Sequence, residues 1–190
     1  MCHNRHAIQL SEAICASLTS SDPIEIFEKI IRSPGIPMLG CHHAFMAANA
    51  FITAINNESS LKISDEMKKE VFERTQCQAI GGYCGLTGIC GIAPAIGACF
   101  AVILGSKCGK NEEQKKTMEA VSEMVSAIAK LTGPSCCKAY AIKCFEISRK
   151  YLEEFFNVRL PESKLKFICE HSDKHPHGCR ENLCPYYKSI

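Results

Sequence analysis

Between Arg74 and Lys107 the chain carries no charged side chain, and this stretch constrains the fold more than any other. A long uncharged run has to be covered, either by protein or by lipid. A membrane span needs roughly 20 mostly apolar residues. Here seven glycines and Pro94 interrupt the run, and its dense apolar part extends only from about Ile89 to Leu104. The stretch therefore reads as a glycine-rich turn, Gly81 to Gly91, leading into a buried helix over 92–104.

The flanking sequence is helical in pattern. Residues 3–18 place Ile8, Ile14 and Leu18 on one face. Asp22-Pro23 opens a helix through Ile31, with aspartate as cap and proline in the first turn. Ser33-Pro34-Gly35-Ile36-Pro37 stops it. A third helix is expected from Cys41 to Ile55, ending at Asn56-Asn57. A fourth is expected from Ser64 to about Gln76, a long one from a capping Asn111 to Leu131, and a last from Ser135 to Phe156. A short extended segment is read at Leu165–Cys169, followed by a loop-like tail. The expected fold is all-α, a compact multi-helix bundle over 1–160 with a small irregular Cys/His-rich C-terminal knuckle over 161–190 packed on it.

Composition enters through one number: fourteen cysteines in 190 residues. The first residues, Met1-Cys2-His3-Asn4-Arg5-His6, do not read as a secretory signal, so a cytoplasmic, reducing setting is expected, where lasting disulfides are rare. Fourteen thiols exceed what packing requires, and exposed thiolates oxidise. An anaerobic or strongly reducing host follows as an inference. The net charge of +2, without a basic run, gives no reason to expect nucleic acid or a membrane surface as partner. No phosphate-binding loop, dinucleotide fingerprint or serine nucleophile motif occurs.

Three constellations carry chemistry. Cys84 and Cys90 lie in the glycine-rich turn, and Cys136 and Cys137 follow Gly133-Pro134. Both pairs sit at a backbone break that leads into a helix, where free amides and the helix dipole favour a thiolate. Cys144 lies two turns beyond Cys137 on the same face. In the tail, Cys169, Cys179 and Cys184 have nine and then four residues between them, beside His171, His175 and His177. A three-cysteine site with an open position and a Cys₃His zinc site both fit that spacing. His42 and His43, after Gly40-Cys41, open a helix. Adjacent residues point about 100° apart on a helix, so the two seldom ligate one metal together; one of them is a candidate ligand or general base. Each feature also has a plainer explanation in small buried thiols and helix-start histidines bonded to backbone.

These residues are similar to those of a cysteine-rich domain family of unknown function from anaerobic archaea and bacteria, found alone or joined to S-adenosylmethionine-dependent proteins. The matching segments are Gly35-Ile36-Pro37-Met38 with His42-His43, Gly81-Gly82-Tyr83-Cys84-Gly85 with Gly88 and Cys90-Gly91, Gly133-Pro134 with Cys136-Cys137-Lys138, and Cys169, Cys179 and Cys184-Pro185. The sequence departs from the pattern at Leu39 and Cys41, so the resemblance carries no ligand role to 39–41. A shorter similarity links Cys90-Gly91, the small-residue helix to Gly105, Cys137 and Cys144 to the cluster-binding part of iron–sulfur serine dehydratases and cysteine desulfidases. That similarity implies a [4Fe–4S] cluster on Cys90, Cys137 and Cys144, with one iron acting as a Lewis acid.

The expectation is an iron–sulfur protein, an enzyme of the lyase or sulfur-transfer type acting on a small substrate. It would hold a [4Fe–4S] cluster on Cys84, Cys90, Cys136, Cys137 and Cys144, and use His42 or His43 for acid–base work. A further cluster, or zinc, would sit on Cys169, Cys179, Cys184 and His171. The alternatives are a non-catalytic cluster carrier or electron-transfer partner of an S-adenosylmethionine-dependent methyltransferase or radical enzyme, and a structural zinc protein.

Overall fold

The computed structural model describes residues 4–131, 133–162 and 167–188. Eight α-helices follow one another along these residues: α1 Arg5–Ala16, α2 Pro23–Arg32, α3 His42–Glu58, α4 Asp65–Gln78, α5 Tyr83–Leu86, α6 Ile92–Leu104, α7 Asn111–Lys130 and α8 Cys137–Phe156. Two single turns of tighter helix, Ser172–Lys174 and Glu181–Leu183, punctuate the tail. No strand occurs among the described residues; the tail makes one isolated bridge, Cys169 to Tyr187. The extended segment expected at Leu165–Cys169 falls partly outside the described residues.

Local chemistry sets the helix ends. Asp22 accepts the Ile24 amide at 2.9 Å, and Pro23 supplies a first-turn residue that has no amide to satisfy. Ser64 caps α4 through the Met67 amide. Gly105 ends α6 in the left-handed conformation, and Asn157 does the same for α8. At α7 Asn111, expected as the cap, is the first helical residue, and Lys110 takes the cap position with no side-chain cap bond. Asn56-Asn57 does not stop α3, which continues to Glu58. The two amides act as clasps instead. Asn56 brackets Ile63 through its amide and carbonyl, and Asn57 holds the Leu18 and Ser20 carbonyls.

The uncharged stretch becomes the packing centre. α6 lies against α3, α4, α7 and α8. Ile92, Ile96, Cys99 and Phe100 are buried on it, and Phe100 meets Phe51 and Phe155 at ring distances of 5.5 and 5.9 Å. Small residues permit this crowding: a Cβ at Gly97 would lie 2.3 Å from the Val121 side chain of α7. α1 and α2 pack on α3 from the other side. Among the described residues no helix is long and apolar enough to cross a membrane.

Candidate functional site

The site grows from the chain break before α3. Gly40 has φ +147, and a Cβ there would lie 2.4 Å from the His42 ring, so only glycine lets that imidazole fold back over the backbone. The Gly40 carbonyl lies 3.2 Å from His43 Nδ1 and 3.7 Å from the Cys137 sulfur, whose thiol donates to it. His43 Nε2 is 3.4 Å from Lys138 Nζ, and Lys138 donates to the Met38 carbonyl at 2.9 Å. The set is satisfied when His43 carries its proton on Nδ1 and the lysine donates to Nε2. Burial, helped by the Lys138 ammonium, holds His43 well below the usual imidazole range. Burial also lowers Lys138, which is 1% exposed. The start of α8 is thereby fastened to the start of α3.

Around this junction four thiols from three distant segments line one cavity of about 290 Å³: Cys41, Cys84, Cys90 and Cys137. Ile80, Ile92 and His177 also reach it. Cys90 is buried and Cys137 half-buried. Burial pushes Cys90 up to about 12 and Cys137 up to about 11, and the neighbouring thiols add to both shifts. Cys84 and Cys41 are only partly buried, and Cys84 rides on the exposed turn that includes Tyr83 and Leu86. One wall depends on Gly91, where a Cβ would sit 2.7 Å from the Ala79 Cα. Backbone cannot swing aside as a side chain can. Gly91→Ala is therefore expected to cost about 1–3 kcal/mol, measured by urea denaturation, and to speed alkylation of Cys90; unchanged stability and unchanged Cys90 alkylation would show that the wall yields.

A second group of sulfurs lies on the other side of Lys138. Cys136, Cys169, Cys179 and Cys184 line a space of only about 20 Å³, together with Lys138, His175 and Arg180. Backbone amides donate to two of these sulfurs: His171 to Cys169 and Glu181 to Cys179, each at 3.4 Å. The Tyr186 amide serves Cys184 in the same way. Arg180 is 7% exposed and donates to the Leu131 and Pro134 carbonyls, and its guanidinium lies over the Tyr140 ring. These contacts, with His175 beside the Ser135 carbonyl, dock the tail against the start of α8.

Among the described residues no group of three or more His, Cys, Asp or Glu side chains could hold a metal ion. This corrects the expectation of a [4Fe–4S] cluster, of a further cluster or zinc at the tail, and of an iron–sulfur enzyme, cluster carrier or structural zinc protein. The physical reason is that the expected ligands are divided. Cys137 faces one cavity and Cys136 the other, while Cys144 is fully buried and lines neither. In the tail Cys169, Cys179 and Cys184 share the small space, but His171 does not line it. His42 and His43 are both buried and line neither cavity. Cys41 and His177 reach the first cavity and Lys138 borders the second; in the sequence Cys41 stands only as the residue before His42, His177 only beside the tail cysteines, and Lys138 only within a matching segment.

These features define an all-α, cysteine-rich protein whose helix starts converge on thiol-lined cavities. The chain belongs to DUF5714, a family of unknown function whose model matches residues 11–187. No curated protein and no solved structure matches the chain.

Proposed function

We propose that this protein is a dithiol redox protein that reacts with a small disulfide-bearing molecule. The observation that carries the reading is the cavity wall: Cys41, Cys84, Cys90 and Cys137, far apart in sequence, border one space large enough for a small ligand. A metal needs three or more ligands about a point, whereas a disulfide needs only two sulfurs. The partly exposed Cys84 meets the ligand first. Its thiolate attacks the ligand's S–S bond, forming a mixed disulfide and releasing one small thiolate, which takes up a proton. Cys90 or Cys137 then gives up its proton and attacks the Cys84 sulfur. A protein disulfide forms and the second small thiol leaves. The balance is one disulfide and two protein thiols giving one protein disulfide and two small thiols. Thiols held near 11 and 12 are poor leaving groups, so the protein disulfide is slow to reverse. A reducing cytoplasm and the division into a helical body, 1–160, and a tail appendage, 161–190, belong to the same proposal.

The test uses fully reduced protein and cystamine, quenched with acid and mapped by mass spectrometry. Two small thiols released per chain and a link from Cys84 to Cys90 or Cys137 are expected, both lost in Cys84→Ser. Mixed disulfides confined to the exposed Cys77 and Cys108 would overturn the reading.

A further inference from the structure

We propose that Cys136 and the tail thiols Cys169 and Cys184 form a second reactive site, which takes hydrogen peroxide and closes a disulfide between Cys136 and one of the other two. The inference goes beyond the dithiol reading and does not depend on it. Charge is its first support. Lys138 and Arg180 border the small space, both nine-tenths or more buried, and among the described residues no carboxylate borders it with them. Arg180 directs its bonds to two backbone carbonyls. Lys138 Nζ has three hydrogens, and the Met38 carbonyl and His43 Nε2 account for two of them. A buried cation is costly without a counter-charge, and the thiols are the groups around this space that most readily become anions. Burial, and then charge on Cys136, pushes Cys169 and Cys184 up. Burial lowers Lys138, and charge on Cys136 opposes that. Cys136 is thus within electrostatic reach of all three. The site holds one thiolate, Cys136, at the start of the 20-residue helix α8, and keeps its two partners protonated.

Size is the second support. About 20 Å³ is room for about one water, so neither an organic disulfide nor a bulky hydroperoxide enters. Hydrogen peroxide is larger than water by a single oxygen and carries no charge. The three thiols are partly rather than fully buried, which leaves it a way in. The chemistry balances without a further reagent. The Cys136 thiolate attacks one peroxide oxygen and the O–O bond breaks. Cys136 becomes a sulfenic acid, and the other oxygen leaves as hydroxide, which takes up the proton that Cys136 had lost. Cys169 or Cys184 then gives up its proton, and its thiolate attacks the Cys136 sulfur. The S–O bond breaks, and hydroxide leaves with that proton as a second water. Two thiols and one peroxide give one disulfide and two waters. Lys138 and Arg180 steady the thiolate and each departing hydroxide. The product fixes the tail covalently to the start of α8, where Arg180 and His175 hold it by hydrogen bonds in the reduced protein.

The experiment adds one equivalent of hydrogen peroxide to fully reduced protein kept from air, with and without dimedone, a trap for sulfenic acid. Samples are quenched with acid, alkylated and mapped by mass spectrometry over time. With dimedone the adduct is expected on Cys136, forming at least about tenfold faster than on the exposed Cys77 and Cys108 of the same chain. Without dimedone a disulfide from Cys136 to Cys169 or Cys184 is expected, lost in Cys136→Ser and retained in Cys84→Ser. Cys136→Ala serves should serine disturb the fold. With tert-butyl hydroperoxide, Cys136 is expected to react no faster than Cys108. Adducts forming as fast on Cys77 and Cys108 as on Cys136 overturn the proposal, as does the absence of the disulfide from wild type. Equal rates at Cys136 with the two hydroperoxides overturn it as well, and so does loss of the disulfide in Cys84→Ser. The absence of any Cys84-linked product with cystamine overturns the dithiol reading alone.

Discussion

Raising the pH of the reduced protein from about 8 to about 10.5 is expected to unfold it. Burial pushes Cys90 and Cys137 up to about 12 and about 11, and pushes Cys99 and Cys144 up as well. In the unfolded chain the same thiols ionise near 9. Above that pH the unfolded state binds fewer protons than the folded one, so stability falls with pH. The slope is about 1.4 kcal/mol per pH unit for each thiol. Cys90, Cys99 and Cys137 together remove about 6 kcal/mol by pH 10.5, and Cys144 acts in the same direction; that is comparable to the whole stability of an ordinary domain. Lys138 acts in the opposite sense. Its lowered folded-state value means that the unfolded chain holds the proton longer, so its contribution rises with pH up to 10.5. One group does not offset four. Urea midpoints followed by circular dichroism under reducing conditions measure the effect. Cys99→Ala and Cys144→Ala should each make the decline shallower, and a midpoint unchanged to pH 10.5 would show that these thiols ionise freely.

Asp22→Ala is expected to cost about 3–5 kcal/mol. Asp22 is 5% exposed and does two things at once. It caps α2 through the Ile24 amide, and it pairs with the Arg149 guanidinium of α8. Removing it opens the cap and leaves a largely buried cation without its partner. Asp22→Asn retains the cap and loses the charge, so its cost should fall between that of alanine and zero. Arg149→Met leaves the aspartate at a helix N-terminus, where a negative charge is tolerated. A double-mutant cycle by urea denaturation separates the two roles. A loss under about 1 kcal/mol for Asp22→Ala would mean that water screens the pair.

The helices were legible because their ends carry their own chemistry. Asp22-Pro23, Ser64 and Gly105 mark boundaries through short-range bonds that the sequence displays. Asn56 and Asn57 misled, because their amides are used by Ile63, Leu18 and Ser20, contacts that no local pattern announces. Cys84, Cys90 and Cys137 border one cavity and Cys136 another, since neighbouring residues at a helix start point in different directions. That divergence, applied in the sequence to His42 and His43, applies equally to Cys136 and Cys137. Lys138 stayed hidden because a lysine in a helix reads as solvated, and its partners Met38 and His43 lie 100 and 95 residues away. A high cysteine count cannot distinguish a coordination sphere from a wall of protonated thiols.

Gly40 and Cys137, joined through a thiol and a carbonyl, stand 97 residues apart. A polypeptide leaves the ribosome from its N-terminal end, so the α3 and α6 sides of the pocket emerge long before α8 can close it. A nascent or prematurely terminated chain thus displays Cys41, Cys84 and Cys90 with no enclosure around them. The chemistry is withheld until synthesis has passed α8, and premature exposure to oxidants during translation is the hazard this architecture leaves open.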